Sequence, residues 1–352
     1  MVGSTIGCIC LNSGHRGGVF RASNVDDALI KLKDTFAGEP EKSVVITSMD
    51  VVMQRMDAEC EMYSQWFIFQ NFNKKSNGIN RWINKKDQTE IAEKLGFKML
   101  HTEILDFQSK YCIEKYPVLL KPVQGGEGAK DDIVVANSSD ELEEHIDVLK
   151  KKGYVRVLCQ PYLKERTEYM AVGSIYPNPR LISYTIFHNL RQWPNIYGIG
   201  SFSEYTLNED VNRYIGTLFN SLAEYGYSGS IDIEVFQDNK GDFYINEFNW
   251  RTSGRNWTSL NTKVYSAVIW YFVVTGQKIN GFKLVNDKHG YSMYEINDFK
   301  HVLVGDLSLK EWFEDYKRTN AFSMRCHGDN KPCRQVYLWF LKQLLINKKS
   351  LK

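Results

Sequence analysis

Two short alternating segments hold the residues best suited to chemistry. In Ser230-Ile-Asp-Ile-Glu-Val-Phe236 polar and apolar positions alternate, so Asp232 and Glu234 share one face of a strand. In Ile245-Asn-Glu-Phe-Asn-Trp-Arg251 the same alternation puts Glu247, Asn249 and Arg251 on one face. A hairpin turning at Asn239-Lys-Gly241 brings Glu234 and Glu247 side by side. Two adjacent carboxylates repel, so the pair needs a cation or a shared proton. Carboxylate and amide oxygens without His or Cys suit a hard ion such as Mg²⁺ rather than zinc. Arg251 adds positive charge fitted to phosphate or an oxyanion. The plainer alternative is a sheet with a solvated polar face.

A second set surrounds Lys121, at the end of the apolar run Pro117-Val-Leu-Leu-Lys121 and ahead of a loop with glycines at 125, 126 and 128. A lysine leaving a buried strand beside a glycine loop is placed to meet an anion, because backbone N–H groups approach phosphate oxygens closely there. The spacing fits neither a P-loop nor a dinucleotide-binding fingerprint, and a structural hairpin is the competing reading. Further on, Leu158-Cys-Gln-Pro-Tyr-Leu163 ends a strand in a short apolar turn. That turn could frame a purine through Gln160 to Leu163, with Glu168 accepting from ribose hydroxyls. His188, just after a strand, is weighed as a base against an ordinary surface histidine.

These residues need elements to carry them. Ser43–Thr47 reads as a short strand, 51–62 and 85–97 as helices, and Gly96 as the stop of the latter. Strands are expected over 117–121, 133–136 and 155–160, with a helix between the last two opened by the capping pattern Ser138-Ser-Asp-Glu141. Antiparallel strands follow at 168–174, 180–187, 230–236 and 243–249, with a helix over 212–225 and an amphipathic helix over 335–347. The expected domains are a short α/β unit (1–80), a linking helix and strand (81–115), a small lobe (116–165) and a large lobe with a C-terminal extension (166–352).

Composition narrows the class. The 352 residues carry 44 basic and 42 acidic side chains, with 43% hydrophobic and 13% aromatic residues, which fits a packed globular chain. With no domain-scale basic excess, neither a nucleic-acid nor a membrane-surface partner is expected. The start lacks the pattern of a secretory signal, and the most apolar window, 265–275, is too short to span a bilayer. Seven cysteines at irregular spacing read as reduced thiols, so the cytoplasm is the expected compartment. Cys8, Cys10 and His15 lack the second half of a metal quartet.

Taken in order, a helix lysine before A-x-x-x-G-F, V-L-L-K-P with its glycine loop, Q-P-Y-L, D-I-E-V-F and N-E-F-N-W-R resemble the ATP-grasp superfamily of carboxylate–amine ligases. The likeness covers about residues 75–280. The upstream V-V-I-T-S-M-D and the later Y-E-I-N-D are most similar to its D-aspartate-ligase-like branch. The resemblance implies an α+β or α/β fold holding ATP between two lobes. It also implies amide formation through an acyl-phosphate, with an amino acid as one substrate. Lys86 (or its neighbour Lys85) and Lys121 would hold phosphates, and Gly125, Gly126 and Gly128 would form the covering loop. Gln160 and Leu163 would frame adenine, and Glu168 would bind ribose. Glu234, Glu247 and Asn249 would hold one or two Mg²⁺ ions, or Mn²⁺. Arg251 and Lys121 would act on the acyl-phosphate being formed. Arg191 would be an extra phosphate or substrate contact, and Arg255 would meet a substrate carboxylate. Small-molecule carboxylates and amines are the implied partners, and a homodimer is compatible with the fold. Two departures stand out: Pro161 sits where a free backbone N–H is usual, and the first 75 residues are short for the leading domain. The competing functions are a non-catalytic nucleotide-binding protein and a bicarbonate-activating enzyme.

Overall fold

The computed structural model describes residues 17–109, 111–123, 132–195, 198–325 and 328–346. The glycine loop with Gly125, Gly126 and Gly128 lies outside the described residues, as do Cys8, Cys10 and His15. Of Lys86 only the backbone is described.

The first unit contains α1 (Val25–Phe36), β1 (Ser43–Val44), α2 (Asp50–Ala58), α3 (Cys60–Tyr63), β2 (Phe67–Ile68) and β3 (Asn71–Phe72). The helix expected over 51–62 is split at Glu59. β1 and β2 pair in parallel, and Leu29, Met56, Cys60 and Phe67 bury a small core between them and the helices. A 3₁₀ turn, Asn80–Trp82, leads into α4 (Lys85–Lys94), which ends at Gly96 with φ +81°, a left-handed stop that favours glycine.

The small lobe is a four-stranded sheet in the order β4 (Glu103–Asp106), β7 (Arg156–Pro161), β5 (Val118–Pro122), β6 (Val134–Ala136). It is backed by α5 (Ser139–Lys151), which buries Leu142, Ile146 and Leu149 against the sheet. The strand expected in the linking stretch, β4, supplies the edge of this sheet. The capping box anticipated at α5 forms in part. Ser138 accepts from the Glu141 N–H, but the Glu141 carboxylate reaches back to Asn137.

The large lobe is built on long antiparallel strands, β8 (Arg166–Pro177), β9 (Arg180–Trp193), β10 (Ile199–Tyr205), β11 (Tyr227–Asp238) and β12 (Phe243–Asn249). With β13 (Gly290–Met293) and β14 (Ala321–Phe322) they order as β12-β11-β8-β9-β10-β13-β14. Sequence patterning missed β10, whose Ile-Gly-Ser-Phe-Ser-Glu-Tyr is poor in the β-branched residues that mark strands. α6 (Glu209–Tyr225) packs Val211, Ile215, Leu218, Phe219 and Leu222 under one face of this sheet. α7 (Arg255–Thr258), α8 (Ser266–Val274), α9 (Glu295–Val304), α10 (Leu309–Arg318) and α11 (Asn330–Ile346) complete the lobe. β3 adds to the start of β11 through Tyr227↔Phe72 and Ser228↔Asn71, so the first unit and the large lobe share a strand. No helix among the described residues is long and apolar enough to cross a membrane.

Candidate nucleotide and metal site

β11 and β12 form the anticipated hairpin, with Glu234 opposite Glu247 and Asp232 opposite Asn249. Two reciprocal bonds hold α4 onto β12: Gln88 donates to the Phe248 carbonyl at 3.0 Å and accepts from the Phe248 N–H at 3.0 Å. Asn84 caps the helix by accepting from the Asp87 N–H. This docking carries Lys85, the first helical residue, to 3.4 Å from Glu247 and 3.5 Å from the Asn246 carbonyl. Lys85, one of the two candidate helix lysines, is thus brought to the carboxylates.

Lys121 arrives from the small lobe close enough to Lys85 for the two like charges to act on each other. Two lysines, Glu234 and Glu247 therefore meet between the lobes. Burial, and then the neighbouring Lys85 cation, depress Lys121 well below the usual lysine range. Burial also works against the Lys85 cation, but Glu247 and the groups around it outweigh that and raise it. Among the acids, burial and the adjacent Glu247 raise Glu234. Glu247 is lowered, because Lys85 and Lys121 outweigh its burial. Asn246 donates to Glu234 at 2.8 Å. A polyanion and a divalent cation would relieve both like-charge contacts at once.

Glu234, Glu247 and Asn249 offer oxygen donors alone. Among the described residues no three His, Cys, Asp or Glu side chains gather as a self-sufficient metal cage. The residues fit Mg²⁺ in its usual manner, bound by one or two carboxylates and completed by phosphate oxygens and water.

Arg251 lies beside this group. Its Nη2 donates to Asn249 at 3.3 Å, and its Nε to both oxygens of Asp50 at 2.9 Å. Asp50, from the V-V-I-T-S-M-D segment, is a contact that residue types alone did not reveal. The same segment is stitched to the strand exit: Thr252 N–H donates to the Thr47 carbonyl, and Gln70 bonds both Thr47 and the Trp250 carbonyl. Arg255 donates to Ser203 at 3.0 Å and Asn189 at 2.8 Å, over the Phe187 ring. Gly200 makes room for it, since a Cβ there would lie 1.8 Å from Arg255 Nη2.

At the turn expected to frame a purine, Gln160 is buried and pairs with Leu119 across β7 and β5. The N–H of Tyr162, the residue after Pro161, is taken by the Pro117 carbonyl at 2.9 Å. The Leu163 carbonyl accepts from Arg166 at 2.6 Å, and Glu168 is bonded by Arg166 and Gln192.

One expectation is corrected, at Arg191, and the alternatives at His188 are separated. Arg191 does not join the phosphate group; its guanidinium is taken up by Asp298 (3.0 and 2.8 Å) and Asp315 (2.5 Å), pinning α9 and α10 to the sheet. His188 stands opposite Tyr169, on the face packed over α6, and pairs with Glu204 at 2.8 Å. It is turned away from the carboxylates.

No family model matches the sequence, and no curated protein matches it either. Solved structures do. An ADP complex of PurK, N5-carboxyaminoimidazole ribonucleotide synthetase, is similar with TM-score 0.60 and 15% identity over 82% of this chain and 73% of that one. The biotin carboxylase domain of Hydrogenobacter thermophilus 2-oxoglutarate carboxylase, with MgADP, ADP and bicarbonate, has TM-score 0.57 and 16% identity over 78% and 63%. An L-amino acid ligase from Bacillus licheniformis has TM-score 0.55 and 13% identity over 74% and 64%. The chain spans 26% of a similar Rhizobium etli pyruvate carboxylase. At these identities the likeness establishes the fold: this chain has the ATP-grasp fold.

Proposed function

We propose that this protein is an ATP-dependent carboxylate–amine ligase that forms an amide through an acyl-phosphate, with one of the joined groups carried by an amino acid. The observation that carries the reading is the buried meeting of Lys85, Lys121, Glu234 and Glu247 between two lobes, in a fold shared with nucleotide-bound neighbours.

A carboxylate does not acylate an amine at neutral pH because its oxygen is a poor leaving group. Transfer of the γ-phosphoryl group to that oxygen supplies a good one, and the amine nitrogen then displaces phosphate. Such a reaction asks the protein to position reactants and neutralise charge rather than to supply a nucleophile. Lys85 and Lys121 bind phosphate oxygens, and the arriving polyanion favours the Lys121 cation that burial disfavours. Glu234, Glu247 and Asn249 hold Mg²⁺, which when bound draws charge from the phosphates. Arg251, kept in place by Asp50, faces the phosphoryl group in transfer. The buried Gln160 and the turn to Leu163 shape the purine end, with Glu168 beside the ribose.

Glu247→Gln is the test. It is expected to lower substrate-dependent ADP release by more than about 100-fold, the scale of losing a transition-state charge contact, while the circular dichroism spectrum is kept. Turnover close to the unmodified rate would reject Glu247 as a metal ligand. Screening amines and carboxylates with and without bicarbonate separates amide formation from carboxylation. Nucleotide binding with no substrate-dependent ADP release would mark a non-catalytic protein.

A further inference from the structure

The helix α11 is apolar on two sides. Its inner side runs through Cys333, Tyr337 and Phe340, at the i, i+4, i+7 spacing of one helix face. Cys333 and Phe340 are buried, Tyr337 donates to Glu295 at 2.9 Å, and Phe340 meets Phe299 of α9 with ring centroids 6.5 Å apart. A surface helix seated in this way normally turns polar residues outward. Here the outward side carries Leu338 at 65% and Leu341 at 54% exposure, with Trp339 at 40% on the flank. Arg334 and Lys342, one turn before and one turn after Leu338, are exposed beside them. A contiguous apolar group of this kind marks a contact surface.

Charge decides what covers it. Basic and acidic side chains nearly cancel over the whole chain, but residues 331–352 hold six basic side chains and no acidic one. The contrast is α10, which also exposes Leu309 and Phe313 but sets three acids against three bases in its ten residues. A second copy is a poor occupant for α11, because a two-fold contact would face this all-basic stretch with itself. A nucleic acid would meet the charges and leave the leucines in water. A protein groove that takes up a helix closes round it, and α11 already has one side fixed on α9. A flat anionic surface with an apolar interior needs only the free side.

We propose that the outward side of α11 docks this protein on an anionic lipid bilayer. Leu338 and Leu341 enter the boundary of the acyl chains, Trp339 sits at headgroup level, and Arg334 and Lys342 meet the lipid phosphates. The helix lies on the membrane and does not span it, in keeping with its length and its charges. Each basic residue held near such a surface contributes a factor of about five in affinity. The contact is therefore reversible and weakened by salt. Docking of this kind does not depend on the ligase reading, and it needs no residue between the two lobes.

The test is flotation of the full chain with vesicles of phosphatidylcholine, alone or mixed with phosphatidylserine, at low and at high salt. At low salt the mixed vesicles are expected to bind at least about 10-fold more tightly than phosphatidylcholine alone, and at high salt that advantage should vanish. Changing Leu338→Gln and Leu341→Gln together should lower binding to the mixed vesicles about 10-fold or more while the melting temperature is kept. The proposal is overturned if the unmodified chain shows no preference for the mixed vesicles, a comparison that needs no variant to fold. It is equally overturned if the folded double variant binds them as well as the unmodified chain. Capture by poly-L-glutamate without vesicle binding would assign the face to an acidic polypeptide instead. A dimer in sedimentation equilibrium that the double variant turns into a monomer would assign it to a second copy, and either result overturns the proposal.

Discussion

Asp57 gives a sharply defined stability prediction. It is fully buried in α2, and its Oδ2 accepts from the N–H groups of Ile79 and Asn80 at 2.9 and 2.8 Å, while Oδ1 has no partner. Burial pushes its carboxyl up from 3.8 to about 6, against the pull of those two N–H groups. The folded chain therefore holds a proton at Asp57 that the unfolded chain has released between about pH 4 and 6. Stability from this group is full below pH 4 and falls as pH rises through 6. About two pH units at about 1.4 kcal/mol each make the loss about 3 kcal/mol. Asparagine keeps an oxygen for both N–H groups and carries no charge. Asp57→Asn should therefore be the more stable chain at pH 8, by up to about 3 kcal/mol less the weaker neutral hydrogen bonds. That gain should fall to about half near pH 5 and shrink to nothing, or reverse, near pH 4. Urea unfolding followed by tryptophan fluorescence from pH 4.5 to 8 measures the difference. Parallel pH profiles for the two chains would refute the reasoning.

Removing Arg191 leaves Asp298 buried without its cation, so Arg191→Ala should cost about 3–5 kcal/mol in unfolding free energy without weakening ATP-analogue binding. A large loss of nucleotide affinity at unchanged stability would restore its phosphate role. Gly200→Ala pushes a methyl into Arg255 and Asn189, groups at the ends of movable side chains. It should shift the melting temperature little, yet raise the KM of the carboxylate-bearing substrate about 10-fold while the KM for ATP holds. Equal rises in both would mean that the guanidinium is not a substrate contact.

The acidic hairpin was legible in the sequence because strand alternation and a turn at Asn239–Gly241 fix which side chains are neighbours. Lys121 was legible for a similar local reason, as a charge at the end of an apolar run. What stayed hidden depends on distant pairing. Nothing near Arg191 announces Asp298 and Asp315, more than a hundred positions away, and nothing near Arg251 announces Asp50. The approach of Lys85 to Glu247 hung on the Gln88 clamp to Phe248, a tertiary contact. The two readings of His188 stayed open because its face depends on the register with Tyr169 rather than on its own neighbours.

The strand shared between the first unit and the large lobe has a mechanical side. Tyr227 and Ser228 are gripped by β3, and the same backbone runs on without a break to Asp232 and Glu234. A force or ligand acting on the opening α/β unit would thus be felt as tension along the chain that bears the acidic side chains. An engineered swap of that unit for a foreign one would have to reproduce this two-residue splice, or shift the acidic pair without touching either residue in it.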